Sequence, residues 1–157
     1  MNRLFIVLAL LVVATPSLAQ PSIEGTYRLV SRTLPDGTVQ QAPQAIGLMT
    51  MTKTHRNMNI MWRDGAGKRF SLSQVSGYTL SDREYSESLL YQIINDEIGG
   101  KGLIYNTEQR TMSSPVKIEG RAVQFKFPFE APTVTFDGDR ATATSPSGLR
   151  AVWERIQ

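Results

Sequence analysis

The chain has 157 residues, with 17 Lys+Arg, 14 Asp+Glu, one His and no Cys. The missing cysteines exclude disulfide staples, thiol nucleophiles, zinc fingers and iron–sulfur clusters. A formal net charge of +3, with basic residues scattered and densest at Arg56, Arg63, Lys68 and Arg69, reads as a solvated surface rather than a nucleic-acid face.

The first stretch, "MNRLFIVLALLVVATPSLAQ", carries one positive charge at Arg3 and an unbroken apolar run from Leu4 to Val13. Pro16 and the small-x-small site Ser17-Leu18-Ala19 follow. This is the pattern of a cleaved secretory signal peptide over residues 1–19. The apolar run is too short to span a bilayer, and without cysteine no lipid can be attached at a lipobox-type cysteine. The expectation is an exported protein, periplasmic or secreted, whose mature domain is residues 20–157 with 16 Lys+Arg against 14 Asp+Glu.

From there no segment keeps a helical period. Short runs rich in Thr, Val, Tyr, Phe and Ile alternate with turn signals: Pro35-Asp36-Gly37, Asp64-Gly65-Ala66-Gly67, Ser81-Asp82, Ile98-Gly99-Gly100, Glu119-Gly120, Asp137-Gly138-Asp139 and Ser145-Pro146-Ser147-Gly148. Such spacing is that of an all-β domain, here of nine or ten strands. The first spans Glu24–Arg32, with Tyr27, Leu29 and Ser31 on one face. Leu34–Ala45 reads as one long loop. In "LMTMTKTHRNMNIMWR" two strands follow: Met49 and Met51 share a face of one, and Met58, Ile60 and Trp62 share a face of the next. Gly65-Ala66-Gly67-Lys68 lacks the spacing and helix of a phosphate loop and is a hairpin turn.

In "REYSESLLYQII" strict alternation puts Tyr85, Glu87, Leu89, Tyr91 and Ile93 on one face. In "RAVQFKFPF", Val123, Phe125, Phe127 and Phe129 oppose Gln124 and Lys126. The final strand runs Leu149–Ile156 and carries Trp153 and Arg155. Many alternating strands in about 140 residues suit a single antiparallel up-and-down barrel, which removes exposed sheet edges.

The stretches "IEGTYRLVSRTLPDG", "GYTLSDREYSESLLY" and "LRAVWERI", in this order, resemble the bacterial lipocalin-like proteins of the calycin superfamily, with Tyr27 where that group carries a tryptophan. The resemblance implies a calycin-type barrel of about 8–10 strands whose first and last strands are neighbours. It also implies a structural clasp in which Arg155 packs across Tyr27, with Trp153 on the same inner face and Arg28 opposite Glu154 on the outer one.

Three functional readings stay open. The first is a non-catalytic carrier of a small apolar or amphipathic molecule, lined by Met49, Met51, Met58, Trp62, Leu89 and Phe125, with Tyr85, Glu87 and Tyr91 as polar contacts. Glu87 then either orients the ligand or pairs with an arginine such as Arg155 or Arg63, because an isolated buried carboxylate is very costly. The second is an isomerase- or cyclase-type enzyme using Glu87 and Tyr91 as acid and base. The third is a Cu(I) handler built from Met49, Met51, His55 and Met58. The carrier reading calls for no cofactor, no metal, no nucleic acid and no membrane anchor. No nucleophile elbow, phosphate loop, dinucleotide fingerprint or zinc-protease motif is present.

Overall fold

A computed structural model describes residues 22–130 and 132–157; the expected signal peptide lies outside the described residues. Among those residues there is no helix, and thirteen strands form one antiparallel sheet that curls into a barrel. The segments are β1 (Gly25–Thr33), β2 (Val39–Gln40), β3 (Ala45–Met51), β4 (His55–Arg63), β5 (Arg69–Leu80) and β6 (Glu84–Asp96). They continue with β7 (Gly102–Asn106), β8 (Arg110–Pro115), β9 (Lys117–Glu119), β10 (Ala122–Lys126), β11 (Thr133–Asp137), β12 (Arg140–Thr144) and β13 (Arg150–Arg155). The excess over nine or ten comes from short pieces. β2 is a two-residue pairing within the expected loop, and the long β6 is flanked by two separate strands, β7 along one half and β8 along the other.

The sheet order is β7-β6-β5-β4-β3-β1-β13-β12-β11-β10-β9, with β2 on β1 and β8 on β6. The first and last strands are therefore neighbours in the middle of the sheet. Tyr27 sits opposite Arg155 and Arg28 opposite Glu154. The Arg155 guanidinium lies 5.3 Å from the Tyr27 ring centroid, and its Nη2 donates to the Tyr27 hydroxyl at 2.8 Å. That hydroxyl donates in turn to the Ile23 carbonyl at 3.0 Å. Arg28 and Glu154 pair at 3.6 Å on the solvent side, worth at most a few tenths of a kcal/mol. Gly25 permits the close approach. Its φ is +146°, and a Cβ there would lie 2.9 Å from the Gln157 carbonyl oxygen and 3.0 Å from Arg155 Nε.

The two ends of the sheet path meet through side chains. Ser114 on β8 donates to the Lys126 carbonyl of β10 at 2.6 Å, and the Tyr85 ring on β6 stacks on Phe125 of β10 at 4.1 Å. From there an aromatic chain crosses the barrel: Tyr78 on Tyr85, Phe125 on Phe136, and Phe136 edge-on to Tyr27. Each such contact contributes about 0.5–1.5 kcal/mol beyond burial. With Met51 and Val123, these rings fill the end of the barrel where β1 begins.

Two bulges break the alternation that sequence alone suggests. In β6, Val75 faces Tyr91 and Ser76 faces Leu89, leaving Leu90 as an extra residue. Tyr85, Glu87 and Leu89 point inward as expected, but beyond the bulge Gln92 and Ile94 take the inner face. Tyr91 is turned outward and exposed, which corrects its expected place on the inner wall. Val30 bulges in the same way in β1, between Leu29 opposite Trp153 and Ser31 opposite Val152. Arg32 thereby replaces Ser31 as the next buried residue after Leu29. A bulged residue has no partner across the ladder, so every later side chain changes face.

Two expected outcomes follow from this packing. A Cβ at Gly47 would lie 2.8 Å from the Trp153 ring, so Gly47→Ala should lower the free energy of unfolding by about 1–3 kcal/mol in urea titrations. Burial raises the pKa of Tyr27 and Tyr85 and takes Tyr78 up to about 12. Unfolded tyrosine ionises near 10, so above that pH the unfolded chain holds fewer protons than the folded one. Stability contributed by these hydroxyls is complete below about pH 10 and is lost as pH rises through the folded values. Unfolding followed between pH 10 and 12 should steepen accordingly, and Tyr85→Phe should flatten the slope by up to about 1.4 kcal/mol per pH unit.

Candidate functional site

Two different environments share the barrel interior, and Arg56 stands between them. Arg56 lies two positions before Met58 on the inward face of β4, and it is fully buried. Its Nε donates to Glu87 Oε1 at 3.0 Å, its Nη2 pairs with Glu130, and its guanidinium lies 3.9 Å from the Phe127 ring centroid. The pairing settles which arginine meets Glu87. Arg63 ends β4 in an exposed position and Arg155 is engaged with Tyr27, so neither takes the role expected of it. It also removes Arg56 from the solvated basic surface in which composition had placed it.

Glu87 is itself completely buried. Its Oε1 also accepts from Gln74 Nε2 at 3.0 Å. Gln74 Nε2 reaches Ser76 as well, and Gln74 Oε1 accepts from Gln92 at 2.7 Å. Asn106 on β7 donates to Gln92 at 2.8 Å. A line of polar side chains therefore runs from Glu130 through Arg56, Glu87, Gln74 and Gln92 to Asn106. Burial alone pulls the Arg56 pKa down, but Glu130 and Glu87 outweigh it and hold the guanidinium above its ordinary range. Burying three charged groups costs several kcal/mol per ion, which good geometry must offset.

On the other side of this line lies a cavity of about 400 Å³. Met49, Met58, Ile60, Leu72, Val134 and Trp153 form much of its apolar wall, and Trp62, Phe70, Phe129 and Leu149 stand half-buried around it. It occupies the end of the barrel where β1 and β4 finish and β13 begins. Four polar side chains line it: Arg32, Gln92, Glu130 and Ser145. Arg32 is 5% exposed. Its guanidinium lies 3.8 Å from the Trp62 ring centroid, Trp62 stacks on Phe70 at 4.2 Å, and burial lowers the Arg32 pKa to about 10.

The residues singled out in the sequence divide accordingly. Met49, Met58 and Trp62 line the cavity. Met51, Tyr85, Glu87 and Phe125 are buried but belong to the filled half or the polar line, and Leu89 is buried away from the cavity lining. Tyr91 lies on the outer face, so Glu87 and Tyr91 are not brought together as an acid–base pair. Met49 and Met58 are cross-strand partners, whereas His55 is exposed and bonded through Nδ1 to Thr54 at 2.8 Å. The imidazole therefore stands apart from the methionines it would have to join in a copper site. Among the described residues, no three His, Asp or Glu side chains converge as a metal-binding group.

Arg32, Gln74, Gln92 and Glu130 were not singled out from sequence. Gln74 had a signal: it alternates with Leu72 and Ser76 on a regular strand. Arg32 and Gln92 had none, because each follows a bulge. No protein-family model, curated protein or solved structure matches the chain.

The polar line generates a direct test. Arg56→Met leaves two carboxylates without their cation and should destabilise the fold by about 3–5 kcal/mol. Adding Glu87→Gln should recover part of that loss. Chemical denaturation of Arg56→Met, Glu87→Gln and the double variant beside the parent measures the coupling, and strictly additive losses would show that the pair does not act as a unit.

Proposed function

We propose that this protein is an exported carrier that holds one small, largely apolar molecule inside a calycin-type barrel. The observation supporting this reading is the cavity of about 400 Å³, within the size range of small-molecule sites. Its apolar walls, with few polar groups among them, have the composition of such sites. Met49 and Met58 add adaptability, since thioether side chains reshape around irregular ligands at low cost. Arg56 and its carboxylates fix the inner limit of the cavity, and the aromatic end behind them gives it a rigid backing. Catalysis is not needed to account for any of these features.

The neutral dye N-phenyl-1-naphthylamine provides the test. Saturable, one-to-one binding with enhanced fluorescence is expected, and Leu149→Trp, which narrows the half-buried rim, should weaken it about tenfold or more while the chain stays folded. Protein taken from its native source should carry an added mass in native mass spectrometry. Non-saturable dye partitioning indifferent to Leu149→Trp, together with a bare native mass, would overturn the carrier reading.

A further inference from the structure

The barrel closes where β8 meets β10. β7 runs along the other half of β6 and ends the sheet path. Among the described residues no strand pairs with its far side, so that edge presents backbone N–H and C=O groups without strand partners. Proteins commonly guard such an edge with a charge, a proline or a bulge. The other end of the sheet is guarded in this way: β9 is short, follows Pro115, and carries Lys117 and Glu119 paired at 2.8 Å. β7, with the sequence Gly-Leu-Ile-Tyr-Asn, has no such device.

Its outer face is apolar. Leu103 is 56% exposed and Tyr105 62%, while Ile104 and Asn106 take the inner face, Asn106 bonding to Gln92. Leu103 also borders a groove of about 510 Å³ on the outside of the sheet, with Ile46, Leu48, Met61 and Ile93 along it. Contiguous exposed apolar surface of this kind marks an interaction site.

We infer that β7 is the seam of a homodimer, in which two copies pair their β7 edges antiparallel about a two-fold axis at Ile104. The strand is self-complementary in that register. Each Leu103 meets the second copy's Tyr105 on the outer face, and Ile104 meets its own counterpart. An axis at Leu103 would set Tyr105 against Lys101, and an axis at Tyr105 would set Leu103 against Thr107, so either shift loses an apolar pair. The charges agree with the same pairing: β7 carries none, Lys101 precedes it and Glu108 follows it. Antiparallel strands lay each start beside the other's end, which brings Lys101 near the second copy's Glu108. Within its own chain Glu108 is exposed and only loosely held, 3.9 Å from Arg110. A two-fold contact of this kind closes on itself and stops at two copies. With five residues a side the interface is small, which places the association in the weak, micromolar class.

Sedimentation equilibrium and cysteine cross-linking of the purified protein test this. The parent's average mass should rise with concentration from one chain toward two. Leu103→Lys, an exposed change that leaves the core untouched, sets a charge into the seam twice and should weaken association about tenfold or more. Because the chain has no cysteine, Ile104→Cys introduces a single thiol at the axis. Opposed residues of antiparallel strands lie about 4.5–5.5 Å apart, within disulfide reach, so mild oxidation should convert Ile104→Cys to a covalent dimer. Ile98→Cys, in the turn before β7, should stay largely monomeric under the same conditions. A parent that remains one chain at all concentrations, with Ile104→Cys cross-linking no faster than Ile98→Cys, would overturn the proposal. So would a dimer indifferent to Leu103→Lys, which would place the contact on another surface. Neither result bears on the carrier reading.

Discussion

The interior of this barrel is organised around the fully buried guanidinium of Arg56. Arg56 reaches from β4 to Glu87 on β6 and to Glu130 in the segment between β10 and β11. It thereby ties β4 to β6, its next neighbour but one in the sheet, and to the segment after β10, which is distant along the sheet path. Without that cross-link Glu87 and Glu130 would be carboxylates in a low-dielectric space, which is among the most expensive arrangements a protein can adopt. The guanidinium also packs on Phe127, so the ion pairs are embedded in the aromatic core rather than adjacent to it.

That arrangement divides the labour between the two halves of the interior. Toward the start of β1, tyrosines and phenylalanines fill the space and the Tyr27–Arg155 clasp joins the first strand to the last. Toward the opposite end methionines, alanines and aliphatic residues line the wall, with Trp62, Phe70, Phe129 and Trp153 around them, and the space between stays open. On this common scaffold Tyr85 and Phe136 each stack on Phe125 and close the filled half, whereas Ala143 and Ala151 line the open one. The floor is cross-linked but not fully satisfied, since Arg56 Nη1, Glu87 Oε2 and the Tyr85 hydroxyl are buried without hydrogen-bond partners among the described residues. It backs an adaptable apolar chamber held without disulfides.

Much of this was legible in the residues. The alternation in "LMTMTKTHRNMNIMWR" put Met49, Met51, Met58 and Trp62 inward, and the alternation around Phe125 and Tyr85 did the same. The clasp was legible only as what the resemblance of "GTYRLV" and "AVWERI" implied; alternation alone put Trp153 and Arg155 on one face of the last strand. Arg56 could have been found by the same rule, being two residues from Met58; its charge suggested solvent, and only the carboxylates from distant strands make its burial tolerable. Tyr91 and Arg32 could not have been placed by any counting rule, since Leu90 and Val30 each insert one residue and reverse the faces that follow.

The sequence by itself therefore determined the all-β class, most of the inward-facing set and the lack of any covalent staple. These depend on local periodicity and composition, which a strand expresses regardless of its neighbours. Tertiary structure alone decided which cation meets Glu87, which half of the interior is full, and which residues beyond the bulges face the cavity. Those outcomes depend on strand register and on side chains brought together from separate strands, such as Arg56 with Glu130 and Arg32 with Trp62, and a linear pattern carries no record of such distances.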